Sequence, residues 1–437
     1  MQILYYHDHN FAILLEKALN QSRGSPLDIS QSVTEIITQV VSKKDSALIN
    51  FTAQFDNINF TQDELMVSDC EMLEGNAKIS VKQKKALDSA AERIKAFHLK
   101  QIPEDKYWID KVGIEMGWRW LPIAKVGIYV PGGKASYPSS VLMNAVPASV
   151  AGVKDIVMVS PSFNGKIDPL VLYAAKISGV DKIYKIGGAQ AVAALAYGTE
   201  TIEPVDKIVG PGNSFVAEAK RQVFGRVGID MVAGPSEVVI IADGDNRAEW
   251  ISADLLSQAE HDENAQCVLI TTSENLASRV LKSIERQLEG LKRKKIATDS
   301  WTKNGVIIVA EDLNQATLIS DRFAPEHLQL CVKDPEKLLK SIRNAGSIFI
   351  GSWTPEALGD YIIGINHVLP TEKSARFASG LSVLDFMKRS LISKVTQKSI
   401  SAIGDNAVCL ARAEGLGAHE LSVALRMADS PKKIIDD

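Results

Sequence analysis

Histidine is scarce in this chain, seven in 437 residues, and its neighbours suggest what some of the seven could do. Gln258 and His261 stand three apart in a stretch that reads as a helix over 248–263, so both can aim at one point. An amide oxygen and an imidazole nitrogen together suit Zn²⁺ or Mn²⁺, although two polar residues near a helix end are as readily structural. Glu326 and His327 are adjacent. A carboxylate titrating below neutrality beside an imidazole titrating near it can divide acid and base work. Pro325 biases Ala324 toward extended geometry, which places the pair in a loop ahead of a strand over 328–332. Asp360 after Gly359, and His419 between Gly417 and Glu420, have polar settings, and each alone is as readily structural. His98 reads as the surface edge of a Lys-rich helix, and His7 and His9 as a frayed terminus.

These side chains need a scaffold, and the apolar pattern provides one. Residues 29–41 and 82–100 carry apolar residues at helical spacing. The Trp-rich segment 114–123 reads as a strand leading into a new unit. From Lys125 short apolar strands (126–130, 155–159, 182–186, 207–209) alternate with helices of about ten residues, the signature of parallel βαβ units. The alternation resumes after Ser236 with strands at 237–242, 267–272, 305–309, 328–332 and 347–350, and with a helix over 335–344. The fold class is therefore α/β, with two open Rossmann-like layers and a more helical tail from Leu381. Open sheets of this kind bind ligands beyond the carboxyl ends of their strands. Three loops qualify there: Pro131-Gly132-Gly133, Gly187-Gly188-Ala189-Gln190 and Gly210-Pro211-Gly212-Asn213. Their glycines serve close packing as readily as phosphate binding, and none forms G-x-G-x-x-G.

Composition narrows the function classes. Forty-nine Lys+Arg against 53 Asp+Glu give a net charge of −4, without the basic stripe of a nucleic-acid binder. No run approaches the ~18 apolar residues of a membrane span. The first residues lack the layout of a signal peptide, and the four cysteines are widely separated, so the sequence reads as a cytoplasmic protein without a disulfide scaffold. A zinc hydrolase is disfavoured by the absence of H-E-x-x-H and G-x-S-x-G. A bare metal-binding module would not need Glu326 beside His327.

Six motifs in order make a sharper case: Val130-Pro131-Gly132-Gly133, Ala233-Gly234-Pro235-Ser236-Glu237, Gln258-Ala259-Glu260-His261, Ala324-Pro325-Glu326-His327, Asn366-His367-Val368-Leu369-Pro370-Thr371 and Glu414-Gly415-Leu416-Gly417-Ala418-His419. Together, over about 28–426, they resemble the histidinol dehydrogenase family. The resemblance implies a zinc-dependent, NAD-linked, four-electron oxidation of L-histidinol to L-histidine through a bound aldehyde. A same-family enzyme for another amino or sulfonated alcohol is the nearest alternative. By the same resemblance Gln258, His261, Asp360 and His419 are the zinc ligands, one ion per subunit. Ser236, His327 and Glu414 join those four as substrate contacts. Glu326 and His327 become the acid/base pair, and Tyr129, Gln190 and Asn213 the NAD contacts. The implied architecture is an N-terminal arm (1–27), a first Rossmann-like domain with the metal and catalytic residues (28–125 and 237–380), and a second, NAD-binding one (126–236). A tail (381–437) is exchanged within a homodimer, bringing His419 to the partner's site. The charged stretch Thr371-Glu372-Lys373-Ser374-Ala375-Arg376 replaces the small, glycine-containing one of many relatives and reads as an exposed loop that leaves the site residues untouched.

Overall fold

The computed structural model describes residues 2–20, 29–132 and 136–429; Asp28 and Gly133, noted above, lie outside them. The chain forms two units, residues 1–101 with 123–386, and residues 102–122 with 387–437.

The first unit holds two all-parallel sheets. One has six strands in the order Gln2–Tyr5, Gly305–Val309, Gln266–Thr271, Glu237–Ala242, His327–Cys331, Ser347–Ile350. The other has five, in the order Lys182–Tyr184, Asp155–Val159, Lys125–Tyr129, Lys207–Val209, Gly228–Ile229. Helices cover both faces of such sheets, so their strands are apolar on both sides. All six residues of Glu237–Ala242 are accordingly buried. In each sheet the chain winds outward one way from a central strand and then the other. The switch points fall between Glu237–Ala242 and His327–Cys331, and between Lys125–Tyr129 and Lys207–Val209.

Several sequence expectations are corrected. The N-terminal arm is part of the first sheet: Gln2–Tyr5 pairs with Gly305–Val309, and helix Phe11–Leu19 puts Leu15 and Leu19 into one core with Val239, Ile241 and Ile270. A four-residue strand ahead of His-Asp-His is too short to show in the pattern. The helices of 29–56 pack against the five-stranded sheet rather than with the six-stranded one. Val33, Ile36, Val40, Leu48 and Phe51 share a core with Val157, Ile186, Val192 and Ile208. Helix Lys294–Asn304 had no visible signal, because its Lys-rich start leaves only two buried apolar side chains, Ala297 and Trp301, to mark it. The helix expected over 335–344 is only Pro335–Leu339. His98 is fully buried, its ring nitrogens facing Gln101 Oε1 at 2.7 Å and Asn366 Nδ2 at 3.3 Å.

The second unit contains the Trp-rich strand. Glu115–Pro122 is the middle of an antiparallel sheet between Lys106–Ile109 and Met387–Lys394. Trp108 and Trp118 meet edge-on at 5.5 Å, and the Arg389 guanidinium lies over Trp118 and Trp120. The tail thus opens with a strand, then continues as helices Gln397–Ala413 and Gly417–Ala428, parted at Gly415 (φ 71°). Among the described residues no helix is long and apolar enough to cross a membrane.

Candidate active site

Glu237 and His327 are the first residues of the two strands flanking the switch point of the six-stranded sheet. Glu326 and His327 therefore sit at the amino edge of that sheet, not beyond its carboxyl ends. Helix Leu313–Phe323 delivers it: Ala324 caps the helix in left-handed geometry (φ 45°), its N–H on Ser320 O, and the chain then turns through Pro325 into the strand. Ala324 was expected to be extended. Capping the helix and reversing the chain within one residue requires the positive φ, a strain of the order of 1–2 kcal/mol for a residue with a Cβ. As expected, Glu326 and His327 both lie outside the helix.

Both side chains are buried and pinned from the backbone. The His327 Nδ1 lies 2.9 Å from the Glu237 carbonyl oxygen. A carbonyl only accepts, so Nδ1 carries the proton and Nε2 keeps its lone pair. Burial brings the imidazole down to about 4, against the pull of the Asp360 charge, so the ring is neutral near pH 7. The Glu326 Oε2 accepts the Glu237 backbone N–H at 2.9 Å. Burial, with the Glu237, Asp360 and Glu356 charges nearby, nevertheless pushes the Glu326 carboxyl well above its usual range.

Gln258 and His261 arrive from helix Ala248–Ala259, which ends four residues earlier than the sequence suggests. Asp262 is responsible: its carboxylate takes the Asn264 N–H at 2.8 Å, a local turn that competes with the helix. His261 sits in the turn, its N–H on Gln258 O at 3.1 Å, so the two side chains still converge, with Gln258 Nε2 3.5 Å from His261 Nδ1. Gln258 is fully buried, and its Oε1 has no hydrogen-bond partner among the described residues. His261 Nε2 lies 4.0 Å from Asp360 Oδ2. The other Asp360 oxygen is 3.4 Å from His367 Nδ1.

The short helix Glu356–Tyr361 adds a residue the sequence reading missed. Glu356 is buried, accepts from Ser257 Oγ at 3.2 Å and lies 4.0 Å from His327 Nε2. His327, Glu356 and Asp360 offer ligand atoms within 4.8 Å of one another. Burial works to raise both carboxyls of this helix. At Asp360 the hydrogen bond and charge of His367 outweigh it and bring the group down to about 2, while Glu356 stays well above its usual range. A signal was present: two acids four apart on one helix face repel unless a cation or a proton stands between them. His367 was quoted in a motif but given no role. Ser236 is half-buried directly before Glu237, its carbonyl accepting Gln266 N–H at 2.9 Å.

The glycine loops stand at the carboxyl ends of the five-stranded sheet and brace one another. A Cβ on Gly132 would meet Pro161 O at 2.7 Å, one on Gly187 would meet Pro161 Cβ at 2.7 Å, and Gly210 (φ 110°) lies against the Tyr129 backbone. Tyr129 is buried, its hydroxyl oxygen accepting Gly188 N–H at 3.0 Å, and burial pushes the phenol up to about 12. Gln190 is buried on the helix that follows, its Oε1 without a hydrogen-bond partner among the described residues. Asn213 is exposed and caps helix Ser214–Val223 through Oδ1, accepting Val216 N–H at 3.1 Å. Beneath it, the buried pair Lys220–Asp230 grips Gly210 from both sides, Lys220 Nζ on its carbonyl at 2.9 Å and Asp230 Oδ2 on its N–H at 2.8 Å. Glu414 and His419 belong to the second unit, at the junction of its two helices, and are exposed.

The sequence matches the protein-family model for histidinol dehydrogenase over residues 19–427. The chain belongs to the histidinol dehydrogenase family. Membership makes it an oxidoreductase. The histidinol dehydrogenase of Cereibacter sphaeroides is 55% identical over 409 residues, 94% of either chain. Histidinol dehydrogenase 1 of Trichormus variabilis is 51% identical over 427 residues, 98% of this chain and 99% of that one. The crystal structure of histidinol dehydrogenase from Elizabethkingia anophelis superposes with a TM-score of 0.93 at 38% identity, covering 98% of each chain. The α/β architecture is thus that of a histidinol dehydrogenase.

Proposed function

We propose that the chain oxidises L-histidinol to L-histidine, the last step of histidine biosynthesis, through a bound aldehyde with NAD⁺ as acceptor in both steps. One observation carries this reading. A neutral His327 with a free Nε2 and a buried Glu326 of high proton affinity stand together, beside a group of N and O donors.

The donors fit a zinc ion. Gln258 has a buried amide oxygen without a partner among the described residues, and His261 Nε2 lies 4.0 Å from Asp360 Oδ2. Gln258, His261 and Asp360 would hold it, with His419 supplied across the dimer. When bound, zinc supplies the anchor for the substrate's imidazole and amine, worth more as positioning than as activation of water. NAD⁺ is the hydride acceptor. The orphaned Gln190 Oε1 and the helix N-termini behind the glycine loops fit it, with Tyr129 bracing the turn and Asn213 at the cap.

The remaining steps belong to the side chains. His327 Nε2 takes the hydroxyl proton as the carbinol is oxidised. Glu326 then takes a proton from the water that attacks the aldehyde carbon, and His327, its first proton given up to solvent, takes the proton of the hydrate in the second oxidation. Ser236, Glu414 and His327 would contact the substrate. The direct test adds L-histidinol and NAD⁺ and follows absorbance at 340 nm, which should rise with histidinol and stay flat with simple amino alcohols. A faster rise with another alcohol would replace the substrate.

The tail exchange belongs to the same proposal. If His419 completes the partner's site, mixing subunits of the inactive variants Glu326→Ala and His419→Ala gathers both defects in one site of a mixed dimer and leaves the other intact. Random pairing makes about half the dimers mixed, so roughly a quarter of normal activity should return. With His419 serving its own subunit, mixing restores nothing; a tagged pull-down verifies that subunits exchanged.

A further inference from the structure

Glu237 carries no role in the function described so far, yet it touches both members of the acid/base pair. Its carbonyl receives His327 Nδ1–H at 2.9 Å, and its own N–H is donated to Glu326 Oε2 at 2.9 Å. Its buried carboxyl, 3% exposed, accepts two further backbone donors: Glu326 N–H on Oε2 at 3.3 Å and Glu372 N–H on Oε1 at 3.0 Å. The second of these reaches the loop expected to be independent of the site. Glu372 and Lys373 both have positive φ, 51° and 63°, and Thr371 Oγ1 accepts Gly234 N–H at 2.6 Å. The charged loop is therefore fastened to the motif 233–237 at two points, Gly234 and Glu237.

We propose that the Glu237 side chain is a positioning residue for the second half-reaction, holding the Glu326 backbone and the 371–376 loop at fixed spacing. The proposal rests on the assignment of Glu326 as the group that activates water. Only a carboxyl group can accept from both backbone donors at once. In Glu237→Gln the amide oxygen keeps the closer donor, Glu372 N–H, and the amide NH₂ is left facing Glu326 N–H. The contact to His327 comes from the backbone carbonyl, which no side-chain substitution removes. The substitution should therefore separate the two half-reactions, whereas a residue that merely supports the fold would impair both.

The test uses metal-loaded enzyme and compares Glu237→Gln with the unaltered protein in two assays, oxidation of L-histidinaldehyde and the first hydride transfer from L-histidinol. The expected kcat loss is roughly 10–100-fold for the aldehyde, from one broken hydrogen bond to a charged group, with little change in the first transfer or in KM for histidinol. Equal losses in both assays, or none in either, overturn the proposal. Should the Gln variant not fold, Glu237→Asp, with both oxygens on a stem too short to reach both donors, takes the same test with the same outcomes. Glu326→Gln run alongside reads the underlying assignment separately. If it slows both half-reactions alike, that assignment fails and this proposal with it; if it is selective and Glu237→Gln is not, only this proposal fails.

Discussion

Replacing Glu326 by Gln should slow oxidation of added L-histidinaldehyde by ~10²–10⁴-fold, the usual worth of a general base, and should affect the alcohol step far less. The substitution is close to isosteric, and an amide oxygen can still accept the Glu237 N–H that now reaches Oε2 at 2.9 Å. What disappears is the ability to take a proton. Only the second half-reaction adds water, so only it should suffer. The pH dependence follows from the same environment. Burial pushes the Glu326 carboxyl well above the usual range, so the active, ionised form is lost as pH falls through that raised value. The aldehyde step should thus fail at a higher pH than an ordinary carboxylate would allow. His327, brought down to about 4 by its burial, stays neutral and able to accept a proton through that interval. Rates of the two half-reactions measured separately from pH 4 upward check both points. Equal losses in Glu326→Gln would remove the residue from water activation.

Stripping the metal with a chelator should abolish turnover and leave NAD affinity close to normal. The proposed donors, Gln258, His261 and Asp360, lie at the amino edge of the six-stranded sheet, whereas the glycine loops stand at the carboxyl ends of the five-stranded one. The loops are tied to one another and to the Lys220–Asp230 pair, none of which involves a metal donor. Substrate placement, by contrast, depends on the donors directly. Titration of the chelated protein with NAD⁺, followed calorimetrically, should give the holoenzyme affinity, and readdition of Zn²⁺ should restore activity. Parallel loss of NAD affinity would contradict the separation.

Most of the scaffold was legible because parallel strands buried on both faces are written as unbroken apolar runs. Five strand ranges, 155–159, 207–209, 237–242, 305–309 and 347–350, coincide with the sequence reading. Elements that draw stability from their surroundings were not legible: the edge strand Gln2–Tyr5 and the Lys-rich helix Lys294–Asn304. The site shows the same division. Glu326-His327 and Gln258-x-x-His261 are local in sequence and could be singled out before their surroundings were known. Glu356 showed only its spacing of four from Asp360, and Glu237 only its place at the start of the expected strand 237–242; that Ser257 faces the one and His327 lies beside the other is set by long-range packing. The rule that open sheets act at their carboxyl ends describes the glycine loops well, and the loop expected ahead of strand 328–332 already put Glu326 and His327 at the opposite, amino edge of the other sheet, where His327 opens its strand.

The central claim is that one site performs both oxidations without releasing the aldehyde. Its most direct test is the stoichiometry of a limiting amount of L-histidinol oxidised to completion with excess NAD⁺, with an aldehyde trap such as a hydrazine present throughout. The account requires two NADH and one L-histidine per histidinol, with no trapped aldehyde. One NADH per histidinol with the aldehyde captured in equal amount would contradict it.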